Sequence, residues 1–332
     1  MTKQLFTTQV LKKQLFGCVK GLPMMEIGRQ TLIQLRLFLA QMVVLVYCLL
    51  RPFGAKAQVN QTRLNGLIIG QGVVFAGGLY GLGKAWYKHP LKNFHTFNDN
   101  KEWLKIDKVG HSYTAYQIAR LANSAYQWAG LTNQQSAVYA SVSGLTFQMP
   151  IEILDGFSPD YGFSIGDMIA NLTGPAILAS QQLTWGEVRI APKWSFHPTA
   201  FAKLRPELLG RNMSERWLKD YNGQTYWVSA NVSSFTNPEA KGFPRLLSVA
   251  FGYSVENMVA ADPEKSIALG HKPYKQFFIS PDLDLTRIPT NSDAIRALLF
   301  LANCLKIPAP ALEFRVENRP FRLKLKFHAI YF

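Results

Sequence analysis

The chain has 332 residues, 48% of them hydrophobic and only 17% charged, with a formal net charge of +15. Eight of the 36 basic residues lie within residues 1–57, and the others are dispersed without a dense Lys/Arg block, which argues against a nucleic-acid partner. The charge content is well below the roughly 25% of ordinary soluble domains, so the expected partners are membrane lipid or envelope proteins.

The first element is a leader. Arg29 and Arg36 precede an uncharged run of fourteen residues, Leu37 to Leu50, and Arg51-Pro52-Phe53-Gly54 then breaks any helix before Ala55-Lys56-Ala57. A basic region, a short apolar core and small residues at the −3 and −1 positions form the pattern of a secretory signal peptide, with cleavage expected after Ala57. An uncleaved anchor is the alternative. A lipoprotein site is poorly served, because Tyr47 precedes Cys48 and no apolar run precedes Cys18. Only Cys304 remains after removal of the leader, so the mature chain is expected to hold no internal disulfide.

Residues 58–185 form the second unit, an apolar bundle of about four helices. The first candidate, Gly66 to Gly83, is uncharged but holds seven glycines; each costs about 1 kcal/mol in a helix, so tight packing is expected, with Gly66-xxx-Gly70 and Gly77-xxx-Gly81 allowing close approach. The others are Lys108 to Leu131, Gln134 to Ile151 and Ser164 to Leu183. Ser164 with Asp167 resembles a helix cap.

Residues 186–332 form a β-rich region, mostly antiparallel, with one or two helices, so the fold class is α+β. Extended segments are expected at 187–196, 224–233, 245–254, 275–285, 311–317 and 321–332, with a helix at 291–306. In the last strand Phe321, Leu323, Leu325, Phe327, Ala329 and Tyr331 alternate with Arg322, Lys324, Lys326 and His328. About six strands are fewer than the eight of the smallest membrane barrels. A small sheet with one apolar face is the plainer expectation.

The chemistry-bearing residues cluster at helix ends. Asp107, Lys108 and His111 open the second helix, Glu152 and Asp155 close the third, and Asp167 and Asn171 open the fourth. Spacings of three or four place each pair on one helix face. Antiparallel packing through short loops brings these three ends together. Three readings stay open: a divalent metal held by His111, Glu152, Asp155 and Asp167; acid–base chemistry on a lipid- or phosphate-containing substrate, with His111 and a carboxylate acting and Lys108 holding the anion; or a structural network that includes Asp107 and Asn171.

The strings DKVGHS, E-x-x-DGF and D-x-x-x-N-x-x-G resemble DUF2279, the YfiM-like family of predicted periplasmic proteins. More distantly they are similar to VanZ-like membrane proteins. The resemblance covers residues 100–185. It implies a helical protein of the bacterial cell envelope, with Asp107, Lys108, His111, Glu152, Asp155, Asp167 and Asn171 as its marked residues; the leader and the basic face of the last strand make the periplasm or the outer membrane the expected location. It implies no activity.

Overall fold

The computed structural model describes residues 59–87, 89–236, 244–318 and 321–331. The leader and its expected cleavage site lie outside them. Four long helices come first: α1 Gln61–Trp86, α2 Ile106–Trp128, α3 Asn133–Phe157 and α4 Ile165–Thr184. Their starts are set by polar caps. Asn60 accepts from the Arg63 amide, Thr132 and Gln135 form a reciprocal capping box, and Ser164 accepts from the Asp167 amide.

Helices α2, α3 and α4 pack through small residues around Tyr116, Tyr126, Tyr139 and Leu178. A Cβ on Gly174 of α4 would stand 2.1 Å from the Ser112 carbonyl oxygen of α2, so that glycine sets the distance at which the two helices cross. Among the described residues, helix α1 rests on this trio along one side. Leu64 and Leu67 touch its core, Gln71 accepts from Tyr126 and Ser143, and Phe75 meets Phe147 edge-on at 5.3 Å. The tight packing expected of its glycines is not found: a Cβ at any of the seven would meet no described atom within 4 Å. Ile68, Ile69, Val73 and Val74 share that openness.

The second half is a six-stranded antiparallel meander, β1 Ile190–Phe196, β2 Gln224–Asn231, β3 Leu247–Glu256, β4 Tyr274–Leu283, β5 Ala309–Asn318 and β6 Phe321–Tyr331, in sequential order. Every expected strand is present. The described residues hold five shorter helices among the strands rather than one or two: α5 Phe201–Leu204, α6 Pro206–Leu209, α7 Met213–Lys219, α8 Pro263–Ala268 and α9 Asp293–Ala302. Four of them run four to seven residues, too short for a helical period to stand out in the sequence.

The sheet is strongly curled. Thr225 Oγ1 of β2 lies 3.1 Å from the Tyr331 hydroxyl of β6, although four strand spacings of about 4.8 Å would separate these strands in a flat sheet. The outer edge of β1 is hydrogen-bonded at Trp194 by residues 304–306. A β-bulge opposite Ala309 and Ala311 shifts the register of β6. It corrects the alternation expected for this strand: Tyr331 joins His328 on the concave face instead of following Leu325 and Phe327 on the convex one.

The polarity of the curled sheet is inverted. Its covered, concave face holds a small nucleus of Trp227, Phe278 and Tyr331, flanked by Ser195, Ser229, Lys193 with Asp282, and Glu313 with His328, Gln276 and Arg315. The convex face carries Val228, Val249, Phe251, Phe277, Ile279, Leu312, Leu323, Leu325 and Phe327, between 37% and 69% exposed. The described residues cover one end of that face. There Tyr113 of α2 packs edge-on against Tyr226 at 5.5 Å, Gln117 donates to the Pro192 carbonyl, and the loop around Trp103 covers Val255. Gly110 makes this docking possible, since a Cβ there would stand 2.7 Å from the Tyr226 hydroxyl.

Candidate functional site

The start of α2 is fixed from outside the helix. Trp103, Leu104 and Lys105 adopt positive φ angles of 48°, 52° and 72°, a region that is costly for residues with side chains. Their surroundings hold them there. Trp103 is buried with its ring centroid 4.9 Å from that of Tyr221, its amide donates to the Ala261 carbonyl, and the Tyr253 hydroxyl donates to the Leu104 carbonyl. The β region thereby sets where Asp107, Lys108 and His111 point.

Those residues meet the end of α3 and the start of α4, as antiparallel packing requires. His111 Nδ1 lies 3.2 Å from Asn171 Oδ1 and 3.3 Å from Glu152 Oε1, while its Nε2 lies 3.7 Å from Asp167 Oδ1. Asn171 Nδ2 donates to Glu152 Oε1 at 3.2 Å. Glu152 and Asn171 are fully buried; His111 is the most open member, with 28% of its side chain exposed.

The other half of the cluster centres on Lys108. Its Nζ stands 2.6 Å from Asp99, 3.0 Å from Asp107 and 2.7 Å from Asp167. It pairs with neither Glu152 nor Asp155. Asp155 turns away to accept a 2.8 Å hydrogen bond from the Tyr87 hydroxyl. Two members were not recognised in the sequence. Asp99 lies in the loop before α2, where it accepts from Ser164 Oγ at 2.6 Å, and Tyr87 ends α1. Neither belongs to a periodic segment or a motif, so only the folded arrangement reveals them.

Five carboxylates thus face one lysine and one histidine. Burial drives the Glu152 carboxyl up to about 9, with Asp167 and Asp155 adding to the rise. Burial also lifts Asp155 to about 6, against the Tyr87 hydrogen bond. Asp107 and Asp167 are raised by burial as well, with Lys108 and His111 opposing. Burial would lower Lys108, but Asp107, Asp167 and Asp99 outweigh it and hold the ammonium above the usual lysine range. Among the described residues the cluster therefore holds more carboxyl groups than cations, burial keeps the proton on Glu152 near neutral pH, and its one lysine is already surrounded.

No curated protein and no solved structure matches the chain. Residues 95–181, which hold the whole cluster except Tyr87, match the family model described as a predicted periplasmic lipoprotein family, DUF2279, and that description supports a location in the periplasm or cell envelope.

Proposed function

We propose that this is an exported cell-envelope protein that docks on a membrane through the convex face of its sheet and the open side of α1, with a structural or organising role there. The inverted polarity of the sheet carries this reading. A half-exposed antiparallel sheet in water turns its apolar side inward; here charged pairs are inside, and Phe251, Leu325 and Phe327 face out. Each such side chain gains about 1.5–3 kcal/mol when removed from water. Helix α1 points the same way, since Gln61–Gly81 is long and apolar enough to cross a membrane.

A hydrolase that holds a phosphate on Lys108 is the weaker reading. Asp99, Asp107 and Asp167 occupy the ammonium, and an incoming anion would meet their charge.

Flotation of the purified chain with neutral phosphatidylcholine vesicles in high salt tests the proposal, because those conditions remove electrostatic attraction. The wild-type chain is expected to float. Phe251→Asp with Leu325→Asp is expected to reduce the bound fraction about tenfold or more with an unchanged circular dichroism spectrum. A wild-type chain that stays in the dense fraction as a monomer, or as a dimer joined through this face, would overturn the reading.

A further inference from the structure

We infer that His111, Glu152 and Asp167 form a binding site for one divalent transition-metal ion, Zn²⁺ or Mn²⁺. The three residues come from three different helices, and one donor atom from each lies within 4.8 Å of the other two. Donors around a single ion with bonds of about 2.1 Å are separated by roughly 3 to 4.2 Å. The separation from His111 Nε2 to Asp167 Oδ1, 3.7 Å, already falls in that range, and Glu152 Oε1 lies 3.3 Å from the other ring nitrogen, Nδ1.

Charge supports the same location. Lys108 supplies the cation for Asp99, Asp107 and one side of Asp167, whereas Glu152 has no lysine or arginine partner among the described residues. Asp167 is 6% exposed, and its Oδ1 lies 2.7 Å from Lys108 Nζ and 3.7 Å from His111 Nε2. Lys108 takes one side of this oxygen, and an ion beside His111 would take the other.

The surroundings also prepare the ligands. In the tautomer that donates from Nδ1 to Asn171 Oδ1, His111 keeps its Nε2 lone pair toward Asp167, and Asn171 Nδ2 holds Glu152 from the other side. Metal-bound imidazoles are commonly oriented in this way. The imidazole among carboxylates favours Zn²⁺ or Mn²⁺ over Ca²⁺ and Mg²⁺, which prefer all-oxygen sites. The partial exposure of His111 leaves a route for the ion and room for water as a further ligand. Asp155, closed off by Tyr87, is outside this ligand set.

The test uses the full chain, stripped with a chelator and titrated calorimetrically with Zn²⁺, Mn²⁺, Mg²⁺ and Ca²⁺, with Co²⁺ absorption as an independent readout. One Zn²⁺ or Mn²⁺ per chain is expected, with visible Co²⁺ bands that Zn²⁺ removes. His111→Ala and Glu152→Gln are each expected to weaken binding about 100-fold, and Asp155→Asn to leave it unchanged. Glu152→Gln replaces a buried carboxyl with an amide of the same shape, so it keeps the fold if His111→Ala does not. Three results would overturn the inference: no binding of Zn²⁺ or Mn²⁺, wild-type affinity in a folded Glu152→Gln chain, or equal binding of Ca²⁺ and Zn²⁺.

Discussion

Alanine at position 174 is expected to disrupt the helical unit, at a cost of about 3 kcal/mol or more. The added methyl would meet the Ser112 carbonyl oxygen at 2.1 Å and the Tyr116 amide nitrogen at 2.6 Å, both backbone atoms of α2 that cannot rotate away. Pro175 follows directly and is itself wedged close to Gly144 of α3. The helices must therefore separate, which exposes Tyr116 and Leu178 and pulls Asp167 and Asn171 away from His111. Such a loss is a large share of the roughly 5–15 kcal/mol that holds a domain folded. Gly66→Ala serves as the opposite case. That position is open, so the substitution is expected to stabilise α1 by about 0.5–1 kcal/mol. Thermal and urea unfolding of the two variants measure the contrast. A Gly174→Ala chain that melts with the wild type would show that α2 and α4 do not cross at this distance.

Asp282→Ala is expected to cost about 3–5 kcal/mol, because it strands two buried ammonium groups. Asp282 Oδ2 pairs with Lys193 Nζ at 2.8 Å and accepts from Ser229, and its Oδ1 lies 3.8 Å from Lys306 Nζ. All three charged side chains are essentially inaccessible to water. Lys306 also donates to the Pro281 and Ile307 carbonyls, yet burial lowers its pKa to about 8. With its folded value below that of a free lysine, Lys306 favours unfolding while both states are protonated. That penalty shrinks as pH rises through about 8 toward the free-lysine value of roughly 10.4. Part of the defect in Asp282→Ala should accordingly recover between these pH values, as read by urea midpoints. Stability equal to wild type near pH 7 would contradict a sheet whose concave face is dry and charged.

Strand positions were legible because alternation marks them directly. The Phe321 to Phe327 segment shows two faces in the sequence alone, and Leu323 and Leu325 do lie on one of them. Alternation cannot say which face is covered, and the usual expectation of apolar side inward fails here. The bulge in β6 was also hidden, since it depends on pairing with Ala309 and Ala311 rather than on any residue type. At the site, helix-end spacing was enough to gather His111, Glu152, Asp167 and Asn171. Lys108 was placed correctly in the cluster, but its partners were not foreseen, because Asp99 arrives from an irregular loop. The glycines of α1 suggested close packing between helices. They instead leave a surface that no described residue covers.

Membrane docking through the convex face is tested most directly by attaching one fluorophore to β6 and recording quenching by brominated lipid. Cysteine replaces either Leu325, on the convex face, or Lys326, on the concave side, in a chain whose Cys18, Cys48 and Cys304 are changed to serine. The two positions are adjacent in sequence and both exposed, so only the face differs. Strong quenching at 325 with little at 326 is the result this account predicts. Equal quenching at both positions, or none at 325 in vesicle-bound protein, would contradict it.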